Sequence, residues 1–400
     1  MRDLLLIFSF LIAFSAQAQK ITLSATVQDN RTQEALPYAS VGIKGKSIAT
    51  ITNLQGQFDF HFPVEFRNEI LVISMLGYEN FEAPIWSLLD SKVSVIPMTR
   101  STTMLKEIEV RDSLTGGEIL RLALEKIEQN CPMDPFILKG FYRDVKKVGG
   151  TYIALLEAAV EIYDDNYAEP RNKSKLRERV KLLEVRKSVG YDNKFTAYFG
   201  QKNLLEDLLL HNNIRYRQID RQADLFANTK REEDSYYNGN ETFVIVNREG
   251  FYLKMYVDKT DYSISHLVFE ISGENDDRKR NLVSKFVSYR KTIDFKRFDG
   301  KMYLNYISVV SNEKWYDQAN QLQFETELAQ NLLVNEVRSK TTERISSTEK
   351  MRNYGLQYQD YPYNKSFWDS YNVIKETPVD RKVVEDLEKV APLDEQFQNN

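Results

Sequence analysis

Few side chains in this 400-residue sequence have the types and spacing that catalysis or metal binding requires. The three histidines, His61, His211 and His266, lie far apart, and none belongs to an HxxE or HExxH motif. A zinc peptidase needs clustered His and Glu ligands, and a nucleophilic Ser or Cys usually needs a nearby histidine. The sequence therefore predicts no metal site, no cofactor and no catalytic residues, and it leaves the binding residues unassigned.

Each of these side chains also has a simpler structural interpretation. His61 alternates onto the polar face of a predicted strand, where it would be solvated, and His266 is predicted to be half-buried without a partner. His211 follows the last turn of a helix predicted at 202–211, where a positive charge would suit the helix dipole. Cys131, the only cysteine, cannot form an intramolecular disulfide and is predicted to be structural.

Two carboxylates, Glu157 and Glu161, share one face whether their segment is a helix or a strand. Hydrolysis by paired carboxylates needs a set separation inside a pocket, so this spacing alone favours structural or solvated roles. Asp and Glu are common enough that a carboxylate-dependent hydrolase stays open as an alternative. A net charge of −4 argues against general nucleic-acid binding.

Two segments could bind a ligand through charge or stacking. Residues 171–188 carry eight Lys and Arg against two Glu and could meet anionic lipid headgroups or polysaccharide. The favoured interpretation is a solvated segment whose Leu176, Val180 and Leu183 cover the core. Near the C-terminus, an aromatic stretch could bind sugar rings, but is more simply a strap across the surface. Its members are Tyr354, Tyr358, Tyr361, Tyr363, Phe367, Trp368 and Tyr371.

Residues 1–18 are predicted to be a secretory signal peptide cleaved after Ala18. The apolar run from Leu4 to Phe14 is about half the ~20 residues that a membrane-spanning helix needs. No other stretch is long and apolar enough to span a bilayer. The sequence thus predicts an exported protein of the periplasm, the outer-membrane surface or the cell surface, and not a membrane-spanning one.

Residues 19–110 have the period-two pattern of short, half-buried strands. Phe58, Phe60 and Phe62 alternate with polar residues, and Asn53 to Gly56 and Gly77-Tyr78 read as turns. Late strands are expected around Val93 and Val95 and around Ile108 and Val110. Seven or eight strands at this spacing predict a β-sandwich.

The segments ALPYASVGIKG (35–45), ATITNLQGQFDF (49–60) and LVISMLGYE (71–79) resemble the carboxypeptidase-regulatory-like domain. The resemblance implies a transthyretin-like β-sandwich, common at the N-termini of exported and outer-membrane proteins of Gram-negative bacteria. It implies an accessory domain and no catalysis.

The rest of the chain divides into three predicted parts. Residues 111–135 are a linker, with Asp112-Ser113-Leu114 resembling an O-glycosylation signal or forming an ordinary turn, and a helix from Glu118 to Asn130. Residues 136–350 read as about eight antiparallel strands around a helical insert, with hairpins at Gly149-Gly150 and Asp299-Gly300. Residues 351–400 are the aromatic strap and a helix capped by Thr377.

The layout of residues 136–350 resembles the periplasmic lipoprotein-carrier fold, in which an incomplete barrel wraps around helices and encloses an apolar cavity. The overall prediction is a mainly β, α+β protein: a sandwich followed by a large, curved antiparallel sheet with helices. We predict a non-enzymatic envelope protein whose sandwich is an adaptor and whose second domain binds a lipid, a glycan or an outer-membrane protein. The alternatives are a carboxylate-dependent hydrolase, with converging carboxylates of perturbed pKa in a cleft, and a structural surface protein.

Overall fold

The computed structural model describes residues 20–101, 114–192, 194–199, 203–219, 223–273, 276–279, 281–351, 355–375 and 378–398. The predicted signal peptide, the strand predicted at Ile108 and Val110, most of the 112–114 motif, Tyr354 and Thr377 lie outside these residues. None of the described helices is both long enough and apolar enough to cross a membrane.

The N-terminal part is the predicted β-sandwich. Its strands are β1 (Lys20–Asp29), β2 (Ser40–Ile43), β3 (Ala49–Ile51), β4 (Gln57–Pro63), β5 (Ile70–Ser74), β6 (Phe81–Pro84) and β7 (Val95–Met98). They form a three-stranded sheet in the order β4-β1-β7 and a four-stranded sheet in the order β3-β2-β5-β6. Phe58, Phe60 and Phe62 are fully buried between the sheets, which confirms the alternation predicted for β4.

The second part is built on one antiparallel sheet, to which the described residues contribute twelve strands. The strands are β8 (Phe136–Val148), β9 (Thr151–Asp164), β10 (Arg179–Lys187), β11 (Lys230–Arg231), β12 (Ser235–Tyr237), β13 (Asn240–Asn247), β14 (Tyr252–Asp258), β15 (Ile264–Ser272), β16 (Asp276–Lys279), β17 (Leu282–Phe298), β18 (Lys301–Tyr316) and β19 (Leu322–Arg338). Their order in the sheet is β10-β9-β8-β19-β18-β17-β15-β14-β13-β11, with β12 beside β13 and β16 beside β17. The predicted fold class is confirmed, although the sheet has more strands than the eight expected.

Both predicted hairpins have the expected turns. Gly149 and Gly150 have φ of 55° and 82°, and Asp299 and Gly300 have φ of 48° and 73°. Positive φ at both central residues matches the right-handed twist of the flanking strands. The longest strands include the one from Leu322 to Arg338, which has 17 residues.

The described helices are α1 (Ile85–Asp90), α2 (Gly116–Glu125), α3 (Ile127–Asn130), α4 (Leu204–Leu210), α5 (Ala223–Asn228), α6 (Lys365–Trp368), α7 (Pro378–Glu388) and α8 (Leu393–Gln398). Short 3-10 turns occupy Val64–Asn68, Val189–Asp192, Lys194–Phe199 and Leu356–Tyr358. The single helix predicted from Glu118 is two helices, because Lys126 leaves helical geometry with φ −90° and ψ 8°. A capping box between Thr115 and Glu118 starts α2 earlier than predicted.

The basic segment at 171–188 is not simply a solvated segment, because residues 179–187 form β10 at one end of the sheet. Val180, Leu182 and Val185 are buried, and a bulge between Leu182 and Glu184 changes the alternation. Leu183, predicted to cover the core, packs instead against a smaller cluster on the opposite face.

The large sheet is covered on both faces. On one, the helix face, α2 and α4 pack into the main core through residues such as Ile119 and Leu208. On the other, the tail face, the sandwich and the C-terminal segment (359–375 with α7 and α8) pack through residues such as Ile51, Phe141 and Trp368. The junction of sandwich, sheet and C-terminal segment therefore lies on the tail face.

Candidate functional site

Two adjoining depressions lie on the tail face, and we call them together the tail groove. The larger has a volume of about 330 Å³ and the smaller about 170 Å³. Both are lined by Arg143 of β8 and Val383 of α7. The groove is therefore bounded by elements that are distant in sequence: the sandwich, the sheet and the two C-terminal helices.

The floor of the larger depression is an ion triad on three neighbouring strands. Glu157 of β9 lies directly opposite both Arg143 of β8 and Arg186 of β10. Arg143 Nε lies 2.7 Å from Glu157 Oε1, and Arg186 Nη2 lies 2.5 Å from Oε2. Burial opposes ionisation of Glu157, which is 2% exposed, but the charges of Arg186 and Arg143 outweigh it and lower the pKa of this carboxyl.

Aromatic side chains of the C-terminal segment pack against Arg186 of this triad. The Arg186 guanidinium lies 4.4 Å from the Trp368 ring centroid and 5.2 Å from that of Phe397. Arg143 Nη2 donates to the carbonyl of Ile374 at 3.2 Å. The structure thus brings together three features that the sequence had marked separately: Glu157, the basic segment and the aromatic tail.

Sequence reasoning missed Arg143. The tight turn at Gly149-Gly150 alone would place Arg143 opposite Leu156, because the paired residues nearest the turn are Val148 and Thr151. A bulge between Lys146 and Lys147 shifts the pairing by one residue and brings Arg143 opposite Glu157. Nothing in the local sequence marks that bulge.

The smaller depression is lined by aromatic rings and amides from both parts of the chain. Tyr38 of the sandwich stacks on Tyr306 of β18, with ring centroids 5.7 Å apart, and is 44% exposed. Tyr306 donates its hydroxyl to Asn331 Oδ1 at 2.6 Å. Tyr152, Asn53 and Glu327 complete much of this lining.

Tyr38 is held in an uncommon backbone conformation. Its φ is 59°, in the left-handed region that bulky residues rarely adopt. Its N–H donates to the carbonyl of Thr52 at 3.0 Å, and the buried Thr52 hydroxyl bridges the neighbouring Leu36 and Ala39. The loop is therefore clamped so that the ring projects over Tyr306, and strain of this kind is concentrated at functional sites.

The three histidines lie apart from this groove's lining and from one another. His61 is half-buried rather than solvated, because the C-terminal segment lies across β4, and Thr22 Oγ1 contacts its Nδ1 at 2.7 Å. Burial lowers the pKa of His61. His266 is half-buried as predicted but does have a partner, since its Nδ1 lies 2.5 Å from Asp294 Oδ1.

His211 follows α4, yet it does not supply a positive helix end. Burial, and secondarily the charge of Lys291, lower the pKa of His211 to about 4. The ring is therefore neutral near pH 7, and its Nδ1 lies 2.9 Å from the hydroxyl of Tyr289. Desolvation thus outweighs the helix dipole at this position.

Cys131 and Glu161 have structural surroundings. Cys131 is buried at the end of α3, and burial raises the pKa of its thiol to about 12, so the thiolate is not populated near neutral pH. Glu161 forms a short ion pair with Arg338 of β19. It lies four residues from Glu157, but the two carboxylates bind different arginines.

A carboxylate pair with perturbed pKa does exist elsewhere, formed by Asp164 and Glu178. Burial raises the pKa of both groups, and the charge of Asp164 raises that of Glu178 further. Arg215 binds Asp164 through two nitrogens, at 2.5 and 3.0 Å, and Tyr216 donates a short hydrogen bond to Glu178. Both carboxyls are buried rather than set in a cleft, which is unlike the arrangement expected of a hydrolase.

Within the described ranges, no group of three or more His, Cys, Asp or Glu side chains is arranged to bind a metal ion. The helix face, where the lipoprotein-carrier resemblance implied a cavity, is occupied by apolar side chains of α4. Leu204, Leu205, Leu208 and Leu209 are all buried there and join the main core.

Comparison with known proteins identifies the N-terminal class. Residues 23–110 match the family model of the CarboxypepD_reg-like domain, and β1 to β7 are its β-sandwich. The resemblance inferred from the sequence is thereby confirmed for this part of the chain. No curated protein matches the chain at a significant level.

Several solved structures show distant similarity. A LolA superfamily protein from Nitrosomonas europaea is 12% identical, with a TM-score of 0.22, over 60% of this chain and 99% of that chain. Lipovitellin is 11% identical, with a TM-score of 0.25, over 57% of this chain and 28% of that chain. MucB, solved in complex with MucA(peri), is 8% identical, with a TM-score of 0.18, over 57% of this chain and 100% of that chain.

Proposed function

We propose that this protein is a non-enzymatic, exported envelope protein that binds a glycan in the tail groove. The observation that carries the proposal is the exposed ring of Tyr38, stacked on Tyr306 beside the amide of Asn331. A pyranose ring has an apolar face that packs on an aromatic ring, and its hydroxyls hydrogen-bond to amides and carboxylates. This smaller depression offers both kinds of group.

The larger depression extends the same surface. The guanidinium groups of Arg143 and Arg186 line it, and Phe397 adds another aromatic ring. Glu157 fixes both guanidinium groups, so they do not need to be ordered when a ligand binds. A chain of sugar units could lie across Val383 from one depression to the other.

The sandwich also contributes to the proposed glycan site. Tyr38, Asn53 and Leu54 of the CarboxypepD_reg-like domain line the smaller depression together with residues of β18 and β19. The accessory domain would then be an adaptor that completes the site. A lipid partner is favoured less than a glycan, because α4 fills the helix face.

The test is binding of the purified chain to an array of bacterial envelope glycans, followed by titration of the strongest ligand. Replacing Tyr38 by Ala should weaken binding roughly tenfold, since a stacked aromatic contact contributes on the order of 1 kcal/mol. The matched control is Tyr358→Ala, because Tyr358 is 69% exposed and lies outside the groove's lining. Absence of any glycan binding, or equal affinities of the two variants, would refute the proposal.

A further inference from the structure

A second cleft, separate from the tail groove, lies between the sandwich and the end of β17. Its volume is about 480 Å³, and it is lined by Gly42 and Asn80 of the sandwich and by Lys296 of β17. Lys296 Nζ reaches across to Ser40 of β2, 3.4 Å from its hydroxyl oxygen. A Cβ at Gly42 would lie only 2.6 Å from this nitrogen, so glycine there leaves room for the ammonium.

Lys296 differs from the other cations around the cleft. The other cations that line the cleft each form an ion pair. These pairs are Lys44 with Glu82 at 2.6 Å, Lys46 with Glu69 at 3.3 Å, and Arg297 with Asp261 at 2.8 Å. Lys296, in contrast, has no carboxylate partner among the residues that the structure describes. The cleft thus contains one positive charge that those residues do not compensate.

The Lys296 side chain remains positively charged although it has no carboxylate partner among the described residues. Burial alone lowers the pKa of Lys296 to about 8, so the group is still mostly protonated at neutral pH. A charged group taken out of water without a counter-charge is unfavourable, and it becomes favourable once a ligand supplies that charge.

Asn80, another residue that lines this cleft, has a buried acceptor atom. Asn80 Oδ1 is enclosed and has no hydrogen-bond partner in the described part of the chain. Buried polar atoms are nearly always hydrogen-bonded, and an exception requires an explanation. Lys296 lacks an acceptor of opposite charge, while Asn80 lacks a donor.

We infer that this cleft binds a small monocarboxylate that also carries an O–H or N–H donor. The carboxylate accepts hydrogen bonds from Lys296 Nζ, and the donor binds Asn80 Oδ1 once the amide rotates to expose this atom to the cleft. A monoanion matches the single uncompensated charge, whereas phosphate is usually bound by several N–H donors. A sugar acid and the carboxyl end of a short peptide share this chemistry.

The experiment is calorimetric titration of the full chain with two probes and their neutral counterparts. The probes are glucuronate, against glucose, and acetyl-alanyl-alanine, against its amide. At least one carboxylate should bind with a Kd of about 1 mM or tighter, and neither neutral counterpart should bind. Binding of a sugar acid alone or of a peptide alone identifies the source of the carboxylate.

Two variants locate the site. Lys296→Met keeps the aliphatic stem and should weaken carboxylate binding about tenfold or more, because it removes a charge-assisted hydrogen bond. Lys44→Met, a rim lysine already paired with Glu82, should change the affinity by less than about twofold. Unchanged binding by the Lys296 variant, or binding by neither carboxylate, overturns the inference.

A measurement on the unmodified protein covers the case in which Lys296→Met does not fold. The bound carboxylate should slow acetylation of Lys296 by a lysine-reactive ester, monitored by peptide mass spectrometry, whereas the neutral counterpart should not. Equal rates with and without the carboxylate overturn the inference. Tyr38→Ala should leave carboxylate binding unchanged. The carboxylate site and the glycan site are therefore tested independently of each other.

Discussion

Glu157 remains ionised in the interior because two guanidinium groups share its charge. The carboxylate has Arg143 on one neighbouring strand and Arg186 on the other, and both approach within 2.7 Å. Removal of one member of a buried ion cluster costs more than the cluster contributes, since the remaining charges are left without compensation. The loss of stability caused by a substitution in this triad therefore depends on which charge it removes.

Replacing Glu157 by Gln should lower the free energy of unfolding by about 3–5 kcal/mol, because the buried Arg143 and the partly buried Arg186 would then face a neutral amide. Urea unfolding followed by tryptophan fluorescence measures this change. Glu161→Gln is the control, since Glu161 pairs with one arginine, Arg338, among the described residues and is more exposed than Glu157; its replacement should cost about 1 kcal/mol or less. Equal losses in the two variants would contradict the role assigned to the triad.

The raised pKa of Glu178 predicts that the stability of the protein depends on pH. Its folded-state pKa is raised, by burial first and by the charge of Asp164 second, above its ordinary value near 4.5. Protonation therefore favours the folded state: this stabilisation is complete below the unfolded pKa and is lost as pH rises through the folded pKa. Between pH 5 and 8, the unmodified protein should lose stability relative to Glu178→Gln.

The measurement is the difference in unfolding free energy between the two proteins at each pH. A difference is needed because His211 acts in the opposite direction: its lowered pKa makes it lose stabilisation as pH falls below about 6.5. His211 is present in both proteins and cancels. A difference that does not vary with pH would show that Glu178 is not protonated on folding.

At the scale of elements, the β-bulge near the first hairpin positions the candidate site. Ile153 is the extra residue in β9, between Tyr152 and Ala154, which pair with Lys147 and Lys146. Gly190, in the 3-10 turn after β10, packs directly on the bulge, and a Cβ there would lie 1.6 Å from the Ile153 carbonyl oxygen. This turn therefore supports the register that pairs Arg143 with Glu157.

Replacing Gly190 by Ala should destabilise the protein by more than about 3 kcal/mol, because either the turn or the bulge must move. Gly300→Ala is the matched control: its φ is 73°, but a methyl carbon added there would meet no atom within 4 Å, so only the conformational cost of about 1 kcal/mol applies. Thermal unfolding of both variants tests this difference. Equal losses of stability in the two variants would mean that the bulge can shift at little energetic cost.

Sequence patterns predict some of these elements well and others hardly at all. The alternation of Phe58, Phe60 and Phe62 and the turns at Gly149-Gly150 and Asp299-Gly300 are local signals, and each appears where expected. The sequence does not predict strand β10, because charged residues are interspersed with its apolar ones and a bulge interrupts the alternation. The site was missed for a related reason, since it depends on register and on contacts between distant segments.

At the scale of the whole molecule, the C-terminal segment joins the two parts of the chain. The Asn372 side chain bonds both the N–H and the carbonyl of His61 in β4, at 2.8 and 3.0 Å. Asn335 of β19 donates to the Asn372 carbonyl at 2.8 Å, and Lys375 binds Asp59 at 2.8 Å. One residue thus bonds the edge of the sandwich and the large sheet.

Replacing Asn372 by Ala should speed hydrogen exchange at the His61 amide and along residues 364–375, since the amide would lose its acceptor at a cost of about 1–3 kcal/mol. Exchange measured by mass spectrometry on peptides from β4 and from this segment reports both ends of the contact. Gln323→Ala, at an exposed hairpin end, should leave these peptides unchanged. Unaltered protection in the Asn372 variant would mean that apolar packing alone fastens the segment.

The order of synthesis gives the C-terminal segment a further consequence. His61 and Asn372 are separated by 311 positions, so β4 emerges from the ribosome long before the residue that caps it. Domains generally fold in the order in which they are made, and such distant contacts form late. The sandwich can thus fold early, whereas the tail groove exists only once α7 and α8 have been synthesised. Any ligand bound there would distinguish a chain that contains α7 and α8 from one interrupted before them.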